Sequence, residues 1–172
     1  AFAGAVGEDP FGRYLSRALS AEGVDVSGLV HLPSAKTGLA FVSLGAAGVP
    51  RFWGGGSGFS ADMHLRPEHL EAAPIEECAL LHFGSNLWPT ETGREATWQA
   101  MARARRSGAL VSTDPNLRMH LWRDPQVLRE CLDRSLPQCH VVKVSSDETG
   151  FVTGTDDAKI IPGHGDLATK DD

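Results

Sequence analysis

The chain has 172 residues, of which 41% are hydrophobic and 22% are charged, a composition that suits a globular domain and excludes disorder as the main state. The net charge is −6 and the basic residues are scattered, apart from one cluster at residues 103–106, so we expect no nucleic-acid partner. There is no apolar run of about 18 residues and no export signal, so we expect no membrane partner. Three cysteines without C-x-x-C spacing argue against disulfides or a thiolate zinc site and favour a cytoplasmic protein.

Apolar periodicity and turn residues predict alternating strands and helices. In chain order we expect a strand at residues 2–7, a helix between Gly12 and Gly23, a hairpin of residues 38–44 and 49–53, a flexible connector at 54–58, a buried strand at 78–83, a helix at 93–107, a strand at 109–112, a helix at 125–136 and a strand at 139–144. This alternation is typical of a parallel sheet with crossover helices, and the hairpin is expected to leave that sheet.

Polar residues follow three successive predicted strands, at residues 84–86, 114–118 and 143–148. The carboxyl ends of parallel strands lie at one edge of a sheet, where ligands bind in α/β folds. The sequence therefore predicts a functional site at this edge.

The segment Asp-Pro-Asn-Leu-Arg provides a carboxylate at Asp114, an amide at Asn116 and a guanidinium at Arg118. Arginine binds phosphate or carboxylate groups in bidentate fashion, and asparagine can bond sugar hydroxyls or phosphate oxygens. Asp-Pro-Asn is also strong turn chemistry, so a purely structural turn is an equal alternative.

Lys143 ends an apolar strand, where an ammonium group is costly unless it reaches an anion or the open rim. Ser145 and Glu148 follow at a spacing that could place a hydroxyl and a carboxylate near a metal-bound phosphate. The same S-x-x-E spacing is the signature of a helix capping box, which is the favoured alternative on these residues alone.

Other motifs are weaker. No Walker-type phosphate loop occurs, which excludes a P-loop enzyme, and residues 163–168 fit a dinucleotide-binding pattern only at a place with no room for its βαβ unit. The seven histidines form no H-x-H or H-E-x-x-H pair, so we expect no direct metal ligands.

Seven segments in this order resemble the PfkB-type, ribokinase-like sugar kinases, especially their fructokinase and 2-keto-3-deoxygluconate kinase branches. They are AGAVGEDPFGRYL (3–15), EGVDVSGL (22–29), TGLAFVSL (37–44), SADMHL (60–65), LLHFGS (80–85), STDPNLRMHLW (112–122) and VVKVSSDE (141–148). The resemblance implies an α/β fold in which a ribokinase-like parallel sheet has helices on both faces and carries a small β lid at about residues 37–62. It implies ATP-dependent phosphorylation of a hydroxyl on a small sugar or sugar acid, with Mg²⁺ bridging the phosphates.

By this resemblance Asp114, Asn116 and Arg118 bind substrate where the sugar meets the transferred phosphate. Lys143, Ser145 and Glu148 occupy the N-x-x-E region of the family, which organises nucleotide phosphates and metal-bound water. Ser145 stands where most members have asparagine, as in the fructokinase branch. The resemblance also implies that the lid closes over the sugar and excludes water.

The chain departs from the family pattern in several places. Residues 55–59 read Gly-Gly-Ser-Gly-Phe where the lid normally carries an aromatic residue and an arginine. The family's first strand, with its sugar-binding Asp, and the later Gly-Ala-Gly-Asp motif with the catalytic Asp have no counterpart, so no catalytic residue is identified. We therefore expect residues 1–157 to be a kinase domain incomplete at both ends.

Residues 158–172 do not continue the family pattern and form a tail of uncertain origin. Its Pro-Gly-His-Gly sequence around His164 resembles a loop of metallo-β-lactamase-fold hydrolases, but the upstream histidine cluster of that site is missing. A truncated, non-catalytic fragment that binds sugar or nucleotide is the alternative to a working kinase. Exposed sheet edges and the lid would favour a homodimer.

Overall fold

Parallel strands joined by helices form the framework of the chain in a computed structural model. The structure describes residues 1–45, 48, 50–53, 60–119, 122 and 124–154. The predicted connector at 54–58, His164, the glycine motif at 163–168 and the tail at 158–172 lie outside these residues. Within the described residues, no helix has both the length and the apolar character that crossing a bilayer requires.

The first unit is a β-α-β crossover. Strand β1 (Ala3–Gly7) pairs in parallel with β2 (Gly28–Leu32), and helix α1 (Pro10–Ala21) connects them. The helix begins earlier than the periodicity predicts because the Asp9 side chain caps it and Pro10 suits its first turn. The patterns did not predict β2, because Gly-Leu-Val-His-Leu shows no strict alternation of apolar and polar residues.

The predicted hairpin is confirmed as a separate antiparallel pair. Strand β3 (Phe41–Leu44) pairs with β4 (Pro50–Trp53), from Phe41 opposite Trp53 to Leu44 opposite Pro50. The side chains of Phe41, Val42 and Leu44 are more than half exposed. We call this hairpin the lid hairpin.

The second parallel sheet has the order β5-β6-β7, and a helix follows each of its strands. Its elements are β5 (Leu80–Phe83), α2 (Glu91–Arg106), β6 (Leu110–Thr113), α3 (Pro125–Ser135), β7 (Val141–Val142) and α4 (Ser146–Thr153). Strand β7 is shorter than predicted. The Val111 N–H, which could extend the ladder, donates instead to the His140 ring Nδ1 at 2.9 Å.

The expectation of a buried strand at 78–83 is wrong for one face. Leu80 is 49% exposed, and Leu110 and Val141 on the same face of the neighbouring strands are similarly exposed. An apolar run shows that both faces of a strand are apolar but not that both are covered. Within the described residues, this face of the sheet has no apolar cover, whereas Val111 on the opposite face is fully buried.

Two apolar clusters pack against the elements of this sheet. The first contains Val111 and Met101 and extends to the short turns around Leu65. The second contains Trp88, Leu117 and Leu128, and it packs beneath the loops that follow β5 and β6. The alternation of strands and helices predicted from the sequence is thus confirmed, and the loops with polar residues rest on a packed base.

Candidate functional site

The carboxyl ends of β5, β6 and β7 meet, as the sequence predicts. The Ser85 N–H after β5 donates to the Pro115 carbonyl after β6 at 3.1 Å. On the other side of β6, the Lys143 N–H donates to the Thr113 carbonyl at 2.9 Å. The three polar segments are therefore joined by backbone hydrogen bonds at one edge of the sheet.

An ion pair joins two of the predicted site residues across this edge. The Lys143 Nζ lies 2.5 Å from Asp114 Oδ2. The hydrogen bond to Asp114, together with its negative charge, raises the pKa of Lys143. The Lys143 side chain is 74% exposed and that of Asp114 is 27% exposed, so the lysine has both the anion and the open rim that its position requires.

The loop after β6 alternates buried and exposed residues. Pro115 and Leu117 are buried, whereas Asn116 and Arg118 are exposed. Asn116 has φ +47°, a left-handed conformation that asparagine tolerates better than most residues. In the part of the chain that the structure describes, neither Asn116 nor Arg118 makes a side-chain hydrogen bond or ion pair, so both polar groups face outward.

Glu148 and Ser145 form the capping box that the S-x-x-E spacing indicates. Glu148 Oε2 accepts from the Ser145 hydroxyl at 2.5 Å and from the Ser145 N–H at 3.3 Å. Its other oxygen accepts from the Leu117 N–H. Glu148 is buried, so this one carboxylate both starts α4 and holds the loop after β6.

Sequence reasoning missed a second cluster, at the carboxyl end of β1. Asp9 Oδ1 accepts from the Gly12 N–H at 2.9 Å and from the Thr37 hydroxyl at 2.8 Å, while Oδ2 accepts from the Thr37 N–H at 2.8 Å. These backbone and side-chain donors lower the pKa of Asp9 to about 2. The available signal was an Asp directly before Pro at a strand end, which is typical of a helix N-cap.

No three His, Cys, Asp or Glu side chains among the described residues lie together in a way that could hold a metal ion directly. Asp114 and Glu148 are nevertheless on adjacent loops, and Asp114 keeps one carboxylate oxygen without a partner among the described residues. Magnesium usually binds through one or two carboxylates, waters and substrate phosphates. The oxygen donors present therefore fit an ion held partly through water and phosphate.

Comparison with known proteins shows the family of the chain. The pfkB family of carbohydrate kinases matches residues 1–167. A fructokinase of Klebsiella pneumoniae is 39% identical over 160 residues, which are 91% of this chain and 50% of that protein. A crystal structure of fructokinase with bound ATP from Xylella fastidiosa superposes with a TM-score of 0.75 at 33% identity, covering 89% of this chain and 47% of the other.

A structure of a putative ribokinase II from E. coli, in complex with ATP and Mg²⁺, superposes with a TM-score of 0.78 at 25% identity over 89% of this chain and 48% of the other. The fold is therefore ribokinase-like. The chain belongs to the pfkB family of carbohydrate kinases, and it spans about half the length of the relatives that it matches. The division of the chain at residue 157 and the roles of the six site residues stay predictions.

Proposed function

We propose that this chain is part of an ATP-dependent sugar kinase that transfers the γ-phosphoryl group to a hydroxyl of a fructose-like sugar. Two relatives, at 39% and 41% identity, are fructokinases, which supports the sugar class. The observation that carries the proposal is the junction at the sheet edge, where the outward Asn116 and Arg118 lie beside the Asp114–Lys143 ion pair. Asp114 is acidic, whereas Arg118 and Lys143 are basic. This mixture of charges suits a neutral sugar that lies next to an anionic phosphate.

Each residue has a proposed role. Asp114 and Asn116 bind sugar hydroxyls, and Arg118 stabilises the charge that develops on the transferred phosphoryl group. Lys143 binds a nucleotide phosphate from its exposed position, while Ser145 and Glu148 order the loop and the metal-bound water. When bound, Mg²⁺ would neutralise phosphate charge, and Glu148 would order its water shell.

The test measures ADP release by the complete gene product with fructose, ribose and 2-keto-3-deoxygluconate. We expect turnover of fructose, and we expect Arg118→Met to lower kcat about 100-fold, as the loss of one charge-stabilising donor does elsewhere. The matched control is Arg106→Met, an exposed arginine at the opposite end of helix α2. Turnover of none of the three sugars contradicts the proposal.

The ATP side of the site is tested separately with Lys143→Met. The lysine is largely exposed, so the urea midpoint should change little, whereas the KM for ATP should rise. An unchanged KM for ATP removes Lys143 from the nucleotide site. The alternative of a non-catalytic fragment is tested by intact mass, because a purified protein near 18.4 kDa would be this chain alone.

Cellular location and assembly are also proposed. Cys78, Cys131 and Cys139 are all free thiols, which supports a reducing compartment such as the cytoplasm. The exposed apolar side chains of the lid hairpin support a homodimer formed through it. Light scattering on the complete gene product tests this, and a monomer at high concentration contradicts it.

A further inference from the structure

The cluster around Asp9 joins two segments that are far apart in the sequence. An N-cap residue needs one hydrogen bond to the helix, and Asp9 makes it to the Gly12 N–H. Its two other hydrogen bonds go to Thr37, which lies 28 residues later. The Thr37 hydroxyl also accepts from the Gly7 N–H at 3.0 Å, so Thr37 is fixed to both the strand end and the helix start.

Close packing makes this joint specific. A Cβ added at Gly7 would lie 2.5 Å from Asp9 Oδ2 and from the Thr37 nitrogen. A Cβ at Gly12 would lie 2.1 Å from the Gly7 carbonyl and 2.9 Å from the Thr37 hydroxyl. Asp9 and Thr37 are both buried. The two glycines therefore provide the space in which the carboxylate reaches Thr37, and there is little room for another arrangement.

Thr37 stands at the root of the lid hairpin. The neighbouring Lys36 forms a parallel bridge with Ser60, and the Ala61 N–H donates to the Lys36 carbonyl at 2.7 Å. Lys36 precedes the lid hairpin and Ser60 follows it, so the two ends of the lid meet beside Thr37. Among the described residues, strands β3 and β4 pair only with each other. The hydrogen bond from Gly7 of β1 to Thr37 therefore links the base of the lid to the parallel sheet.

We propose that Asp9 is a positioning residue for the lid, which acts through Thr37 to set the direction in which the lid hairpin leaves the sheet. The inference rests on the proposed sugar kinase function and on the expectation, from the family resemblance, that the lid closes over the sugar. Asp9 takes no part in the chemistry. Its substitution should weaken sugar binding more than ATP binding, because only the sugar depends on how the lid closes.

The test uses three variants of the complete gene product. Thr37→Val keeps the side-chain shape but removes the hydroxyl, Asp9→Asn leaves one acceptor oxygen in place of two, and Thr37→Ser keeps the hydroxyl. The matched control is Glu8→Gln, which removes an exposed carboxylate next to Asp9. Melting temperature and circular dichroism establish that each variant is folded at the assay temperature.

We expect Thr37→Val and Asp9→Asn to raise the KM for fructose about tenfold, with the KM for ATP within about twofold of wild type. Thr37→Ser and Glu8→Gln should stay near wild type, since rescue by the retained hydroxyl separates the hydrogen bond from packing. Unchanged sugar KM in both variants, or equal increases for sugar and ATP, overturns the proposal.

Hydrogen exchange gives a readout that does not need turnover. The amides of β3 should exchange faster in Thr37→Val than in wild type or Glu8→Gln, while the amides of β6 stay unchanged. If the wild-type protein phosphorylates no sugar but β3 responds in this way, the proposed function fails and the anchoring of the lid stands. If sugar is phosphorylated and β3 does not respond, the positioning role of Asp9 fails alone.

Discussion

The buried carboxylate of Glu148 accepts a hydrogen bond from the backbone N–H of Leu117, 31 residues earlier in the chain. A residue that caps α4 therefore also holds the loop from which Asn116 and Arg118 extend. The two functions share one side chain, because the ends of β6 and β7 are adjacent in the sheet.

Glu148→Gln should lower the free energy of unfolding by about 1–3 kcal/mol, because an amide offers one acceptor oxygen for donors that now use two. Urea unfolding of the complete gene product measures this. Asp147→Asn is the control, since Asp147 is an exposed carboxylate in the same first turn. Equal losses in the two variants would contradict the assigned hydrogen bonds.

Asn116 allows stability and binding to be distinguished. Its φ of +47° is easy for glycine and strained for a β-branched residue, so Asn116→Val should lose about 1–2 kcal/mol and Asn116→Gly should lose little. Both variants lack the amide, so both should raise the KM for fructose. A normal KM in Asn116→Gly would assign this residue to the turn alone.

Two acidic groups should make stability fall at low pH. The Arg103 guanidinium bonds both oxygens of Glu76, and the pKa values of Glu76 and Asp9 are each lowered to about 2. Because these folded-state values are depressed, their contribution is complete above about pH 4.5 and is lost as the pH falls toward about 2.

Urea midpoints measured between about pH 5 and pH 3 test this, since the wild-type midpoint should fall with pH and Glu76→Gln should flatten part of the fall. Glu77→Gln is the control, because Glu77 is the next residue and is exposed. The prediction is contradicted if the urea midpoint of Glu76→Gln falls with pH as steeply as those of wild type and Glu77→Gln.

Cys139 should react slowly with alkylating reagents. Burial raises the pKa of its thiol to about 11, and its Sγ also donates weakly to the Ser135 carbonyl. At pH 8 the thiolate population is then about 100-fold lower than for an ordinary cysteine. Peptide mapping after brief iodoacetamide treatment measures the rate, with the urea-unfolded protein as control. Equal labelling before and after unfolding would contradict a partly buried thiol with a raised pKa.

Local sequence determined most of the element order. Turn residues and periodicity predict β6 and α3 within one residue of their observed bounds. Helix α3 forms its backbone hydrogen bonds within its own segment, and β6 has an apolar pattern that a turn ends. Periodicity predicts the start of α1 too late, because the helix begins at Pro10 under the Asp9 cap, ahead of its first apolar repeat. Periodicity does not predict β2, because its residues show no strict alternation of apolar and polar side chains. The strand forms through its pairing with β1.

The candidate site divides in the same way. Local patterns are enough to place polar segments at the ends of three parallel strands, to start a helix at S-x-x-E, and to show seven segments in the order of one kinase family. The pairing of Lys143 with Asp114, of Glu148 with Leu117 and of Asp9 with Thr37 depends instead on the folded chain. These contacts join residues 28 to 31 positions apart. Their partners are set by strand order and loop packing, which are long-range properties that no local pattern encodes.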